Sequence, residues 1–184
     1  DRAAPRSRPG GRAWETTVAS ANGALRRARK AVAGSLPAQS QQANLRALGD
    51  DGLRRIVERY IDAWERGDVH AILALLAEDA TFAMPPLPTW YRGRDVIAVF
   101  LTYFALRDRW RHVPTRANGQ LAFGAYAWDP DERCYTPLSL DVLTLQGTTA
   151  TDVTSFATPH TRGPDRERFA TDVFGRFGLP VRLD

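Results

Sequence analysis

From Leu53 to Trp64 the apolar side chains recur at helical spacing. Leu53, Ile56, Val57, Tyr60, Ile61 and Trp64 fall at i, i+3, i+4, i+7, i+8 and i+11, a stripe that predicts an amphipathic helix with one buried face. Gly67 is placed to end it in the left-handed conformation, and Asp68 to cap a second helix over 69–76. Residues 80–84 read as a strand stopped by Pro85, Pro86 and Pro88. A third helix over 95–104 carries Val96, Val99, Phe100 and Tyr103 on one face.

Beyond that point the period falls to two. Segments 111–116 and 120–128 flank Asn118-Gly119, a hairpin signal because both turn positions need positive φ. Strands over 138–146 and 149–157 follow, separated by Gly147, and a closing helix over 166–177 carries Phe169, Val173, Phe174 and Phe177 before Gly178 and Pro180. Helices first and hairpins after predict an α+β domain over 50–184, a curved antiparallel sheet with three N-terminal helices packed on one face.

Upstream the pattern is of another kind. Residues 1–15 are rich in Arg, Pro, Gly and Ala without periodicity, which predicts a disordered basic arm. Residues 16–33 suit a short helix with Ser20 as N-cap and Leu25 inside. Residues 34–49, with Pro37 and several Gln and Ser, read as a linker or a frayed helix.

Composition narrows the class. Hydrophobic residues make up 43% of 184, enough for a core, and no apolar run is long enough to span a membrane. Cys134 is the single cysteine, which excludes an intrachain disulfide, and a cytoplasmic home is the simplest expectation. Charge is unevenly placed: residues 1–30 hold eight Lys/Arg against two acids, the rest of the chain seventeen against nineteen. A basic arm on a slightly acidic domain suits a polyanion at one end.

Two groups of residues carry a resemblance. The order of elements is similar to the cone-shaped fold of SnoaL-like polyketide cyclases, ketosteroid isomerase and nuclear transport factor 2. Met84-Pro85-Pro86 with Trp90-Tyr91-Arg92-Gly93, Pro114 through Asn118-Gly119-Gln120, and the ending Phe174-Gly175-Arg176-Phe177-Gly178-Leu179-Pro180 resemble the C-terminal domain of extracytoplasmic-function (ECF) sigma factors of the sigma-70 family that carry a fused SnoaL-like domain. The stretch Thr16 to Arg29 resembles the recognition helix that closes such a factor. Family members carry a β-branched residue where Ala21 stands and Ser where Gly23 stands, and Gly23 weakens a helix by about 1 kcal/mol. A helix-turn-helix needs a first helix to brace the second, and residues 1–15 do not supply one. The resemblance therefore implies a remnant recognition helix on a factor lacking its front half, unable to initiate transcription alone.

Candidate sites follow at both ends. Ser20, Asn22, Arg26, Arg27, Arg29 and Lys30 are residue types that contact phosphates and base edges, and the resemblance implies promoter DNA and RNA polymerase as partners. Between sheet and helices the fold implies a mostly apolar pocket for a small apolar ligand. Trp64, Phe82, Met84, Trp90, Tyr91, Phe104, Asn118, Gln120, Tyr126 and Phe156 are the candidates to line it. Trp90 and Tyr91 are placed at a rim, at a boundary from loop to helix. The resemblance also implies that two copies can pair through the sheet.

Ketosteroid isomerase uses an Asp general base with Tyr and a protonated Asp as oxyanion donors. Asp141, between Leu140 and Val142 in an apolar strand, is the closest analogue, with Tyr126 as its companion and Asp79, Asp152 and His112 as second choices. Alternation sends half of a strand's residues to solvent, and that is the default for Asp141. His70, His112 and His160 lie far apart without a cluster of other ligands, so neither metal nor cofactor is expected. Three activities fit: a regulatory domain of a sigma factor, a small isomerase, cyclase or hydrolase acting on an apolar substrate, and a sensor that binds such a molecule without turnover. The first is favoured, because the domain is joined to Thr16–Lys30 and no acid/base set is complete.

Overall fold

The computed structural model describes Gly23, Arg26, Arg27, residues 39–158 and residues 167–184. The chain divides into two units, Asp1–Ala38 and Gln39–Asp184. In the first, Gly23, Arg26 and Arg27 are helical and both arginines are exposed. Ser20, Asn22, Arg29, Lys30, His160, the basic arm and residues 34–38 lie outside the described residues.

The second unit opens with helix α1, Gln41–Glu65, capped by the Ser40 hydroxyl, which accepts from the Ala43 N–H at 3.2 Å. Its second part buries Ile56, Tyr60, Ala63 and Trp64, the face set by the heptad-like spacing. Its first part, from Gln41, takes the helical of the two alternatives read for 34–49. Gln41 and Asn44 turn their amides onto the hairpin between the last two strands: Asn44 Nδ2 donates to the Leu145 and Gly147 carbonyls and Asn44 Oδ1 accepts from the Gly147 N–H, while Gln41 exchanges two bonds with Leu145. Polar composition here is a docking device. Gly49, at φ 62°, lets the two parts change direction, a conformation that favours glycine.

Gly67, at φ 63°, ends the turn after α1, and the Asp68 carboxylate caps α2, Val69–Leu73, accepting from Ala71 N–H at 2.9 Å. Helix α2 is shorter than the expected 69–76 because Leu76 already belongs to strand β1, Leu76–Ala83. A loop with a cis Pro85-Pro86 bond leads to β2, Trp90–Arg92, antiparallel to β1. Helix α3, Arg94–Tyr103, buries Ile97, Phe100 and Leu101. The expected face of Val96, Val99 and Tyr103 is half or more exposed instead, because Ile97 and Leu101, one turn apart, join Phe100 in a bulkier stripe.

Strands β3, Trp110–Ala117, β4, Gln120–Asp129, β5, Cys134–Gln146, and β6, Thr149–Ala157, complete a six-stranded sheet in the order β2-β1-β6-β5-β4-β3. Asn118 at φ 50° and Gly119 at φ 72° make the β3–β4 turn. One pair departs from the expected antiparallel sheet: β1 runs parallel to β6, since the chain returns from the far side of the meander.

The two faces of the sheet bury separate cores. On one, α1, α2 and α3 cover Leu121, Phe123, Ala125, Leu143, Leu145 and Val153. On the other, a π-helical turn, Phe169–Val173, and a 3-10 turn, Phe174–Phe177, bring Phe174 and Leu179 onto Ala122, Tyr126, Tyr135 and Leu140. Two irregular turns thus stand where a single closing helix was expected. Leu183 then pairs with Tyr135 through two backbone hydrogen bonds of 2.8 and 2.9 Å. Among the described residues no helix is long and apolar enough to cross a membrane.

Candidate functional site

The helix-covered face holds a cavity of about 320 Å³, at the small end of the ~300–1,000 Å³ range of ligand pockets. Alternation along three adjacent strands aims its polar floor. Phe123 on β4 stands opposite Asp141 on β5, and Asp141 opposite Ser155 on β6. Ser139, two residues before Asp141, shares its face. Between β4 and β5 the register shifts: Ala125 pairs with Ser139 and Tyr126 with Pro137, so Leu138 is the extra residue of a bulge at the cavity wall. From above, α1 supplies Tyr60 and, one turn later, Trp64.

Asp141 is 2% exposed and holds three hydrogen bonds. Ser139 and Ser155 donate to Oδ1 at 2.9 and 2.6 Å, and Tyr60 donates to Oδ2 at 3.2 Å. Burial pushes the Asp141 carboxyl above its ordinary value, and the three donors pull it back. Tyr60 lies over Phe123 with ring centroids 4.2 Å apart. Burial raises its hydroxyl well above the ordinary value, the Asp141 charge adds to the rise, and the Trp64 indole N–H opposes it without reaching hydrogen-bond geometry.

His112, on β3, lies 4.0 Å from Asp141 through Nε2 and Oδ2, with its side chain fully enclosed. Burial lowers its pKa to about 3, so the ring is neutral at ordinary pH, with one nitrogen donating and the other accepting. Neither nitrogen has a hydrogen-bond partner. The ring is held by Trp64 at 5.3 Å, Tyr60 edge-on at 5.5 Å and Trp110 at 6.0 Å between centroids. A buried carboxyl beside a neutral imidazole in an apolar cavity can bind a neutral polar group or move a proton.

The structure brings Trp64, Phe82, Met84, Phe104, His112 and Asp141 to this cavity. It separates the others. Tyr126 points to the opposite face, where its hydroxyl donates to the Pro180 carbonyl at 2.9 Å and its ring meets Phe174 edge-on. Its parity is opposite to that of Phe123, so it cannot act with Asp141. Tyr91 stacks on Phe100 at 4.6 Å outside the cavity, and Trp90 is 66% exposed on β2, a strand where a loop was expected. Asn118 and Phe156 border a separate apolar groove on the second face. Gln120 bridges to the Leu143 carbonyl and the Thr144 hydroxyl. Asp79 is an exposed partner of Arg92, Asp152 accepts from Thr81 and Thr151, and His70 is exposed. Sequence reasoning missed Tyr60, Ser139 and Ser155 as site residues; Tyr60 was legible as the residue one turn before Trp64. Among the described residues no group of three or more His, Cys, Asp or Glu is placed to hold a metal.

Comparison with known proteins adds three findings. The family model for the SnoaL-like domain matches residues 57–158. The chain is 27% identical over 172 residues to the ECF RNA polymerase sigma factor SigG of Mycobacterium tuberculosis, a match that takes in 91% of this chain and 42% of that protein. Among solved structures, an NTF-2 like protein of unknown function from Burkholderia xenovorans LB400 superposes with a TM-score of 0.52 at 12% identity, over 64% of this chain and 91% of that one. SalBIII, described as an epoxide hydrolase/cyclase-like enzyme in pyran ring formation in polyether salinomycin, gives 0.46 at 21% identity, over 59% of this chain and 92% of that one. The chain spans less than half the length of the curated relatives it matches.

Proposed function

The chain belongs to the SnoaL-like domain family, and from that premise we propose that it is the C-terminal, ligand-holding part of an ECF-type sigma factor, controlling transcription initiation through RNA polymerase and promoter DNA. One observation carries the reading. The likeness to the sigma factor takes in 91% of the chain, well beyond the 57–158 stretch that the SnoaL-like domain alone accounts for. The basic segment before the domain, with Arg26 and Arg27 exposed, suits phosphate contact. In this reading the cavity holds a small, mostly apolar molecule whose binding changes how the domain engages its partners. The activity lies in the cytoplasm, where polymerase is.

The experiment is association of the full chain with bacterial RNA polymerase core enzyme and with duplex DNA, followed by fluorescence anisotropy. Replacing Arg26, Arg27 and Arg29 together by Ala abolishes the association, while Asp141→Asn leaves it intact. Association that ignores the three arginines sinks the reading.

A second reading rests on Asp141 itself. A carboxyl raised by burial and steadied by three hydroxyls beside a neutral imidazole is equipped for proton transfer to or from an apolar substrate. It requires turnover that is insensitive to salt and lost in Asp141→Asn.

A further inference from the structure

At the floor of the cavity, bonding capacity is left on Asp141 Oδ2 and on both ring nitrogens of His112, and beside them on the Trp64 indole N–H. A carboxylate offers about four acceptor positions, two on each oxygen. Ser139 and Ser155 fill Oδ1, and Tyr60 takes one position on Oδ2. The remaining position is on Oδ2, the oxygen that faces His112 Nε2 at 4.0 Å. That separation is too long for a direct hydrogen bond. An oxygen atom about 2.8 Å from each group would subtend an angle of roughly 90°, and because the His112 side chain is enclosed, admitting it takes a small outward shift of the Tyr60 and Trp64 rings that pack on it.

We propose that the cavity binds a neutral, compact apolar alcohol, whose hydroxyl sits between His112 and Asp141, accepting from the Nε2–H of His112 and donating to Oδ2 of Asp141. This rests on the reading that the cavity holds a small apolar molecule. A hydroxyl satisfies both neighbours at once because it donates and accepts, whereas a ketone only accepts and an alkane does neither. The unpartnered nitrogens of His112 are the second observation: its side chain is fully enclosed, and a buried polar group left without a partner is costly. The neutral state of His112 supplies the single N–H the arrangement needs. A carboxylate ligand would meet Asp141 as a like charge. Most of the remaining wall, Trp64, Phe82, Met84, Phe100 and Trp110 among it, packs a hydrocarbon body, with Asp108 and Thr158 its other polar residues, and 320 Å³ leaves room for on the order of ten non-hydrogen atoms.

The test uses the full chain and three probes of one shape: cyclohexanol, cyclohexanone and methylcyclohexane, with affinity read by ligand-observed NMR. Cyclohexanol binds about tenfold or more tighter than methylcyclohexane, with cyclohexanone between them. His112→Phe keeps an aromatic ring in place and removes both nitrogens; it erases the preference for the alcohol while the alkane still binds. Asp141→Asn reduces the same preference and serves where the first variant does not fold. If alcohol and alkane bind equally well to the unmodified chain, as they would with a bound water alone filling the gap, the inference fails and the cavity reading stands. If no probe binds at all, both fail. An alcohol preference that survives in both variants also overturns it.

Discussion

Ser155 and Asp141 face each other across the β5–β6 pair, and the serine hydroxyl donates to Asp141 Oδ1 at 2.6 Å. This bond favours the charged form of a carboxyl that burial pushes the other way. Because the folded value is raised above the unfolded one, Asp141 contributes most to stability at acid pH, and the contribution is lost as pH rises through its folded value. Ser155→Ala raises that value further. The variant is expected to lose about 1–3 kcal/mol, more near pH 8 than near pH 4, as read by urea unfolding at the two pH values. A loss equal at both contradicts the role given to Ser155.

His112 works in the opposite direction. Its folded pKa, about 3, lies below the ordinary value of 6.5, so the folded state binds fewer protons. The stability this confers is fully present above pH 6.5 and is lost as pH falls from 6.5 toward 3. The unmodified chain therefore loses stability across that window from this one group. His112→Phe, with nothing to protonate, loses less over the same range. Acid unfolding followed by circular dichroism in the two proteins measures the difference, and parallel curves would refute the assignment.

Asn44 ties the start of α1 to the β5–β6 hairpin with three hydrogen bonds, to Leu145 and twice to Gly147. It is 6% exposed, so Asn44→Ala leaves the Gly147 carbonyl and N–H without their side-chain partner, while the Leu145 carbonyl keeps the Gln41 amide. A loss of about 2–3 kcal/mol is expected, together with faster hydrogen exchange at the Gly147 amide. An unchanged exchange rate at Gly147 would mean that the first part of α1 is held by other contacts.

These residues also mark what could be read from the chain alone. The stripe from Ile56 to Trp64, the Asn118-Gly119 turn and the Asp68 cap are local, so periodicity and turn chemistry locate them. Asp141 is different. By alternation its default was solvent, but β5 lies inside the sheet with helices on one face and the C-terminal turns on the other, and that double cover buries both parities. Ser139 and Ser155 join Asp141 only through strand register, which depends on partners far along the chain. Residue type alone pairs Tyr126 with Asp141, whereas its parity against Phe123 separates them. The amides of Gln41 and Asn44 read as linker because their partners, Leu145 and Gly147, are a hundred residues away.

Gly124 is the point where the second core closes on the sheet. It lies on the face of β4 shared with Ala122 and Tyr126. A Cβ built there would stand 2.8 Å from Leu179 Cδ1, nearer than real Cβ contacts come, and 3.0 Å from Phe174 Cε1, tighter than most. The Leu179 side chain can turn aside, but Phe174 is fully buried between Tyr126 and Phe169 and has little room to shift. Gly124→Ala is therefore expected to destabilise by about 1–3 kcal/mol through overpacking, despite the better strand propensity of alanine. The strain falls on the C-terminal turns and not on the cavity, so binding of cyclohexanol should be unchanged where the protein is folded. Thermal unfolding combined with limited proteolysis distinguishes the outcomes: a lower melting temperature with earlier cleavage after β6 supports the account. A variant as stable as the parent would show that Phe174 and Leu179 do not seal that face.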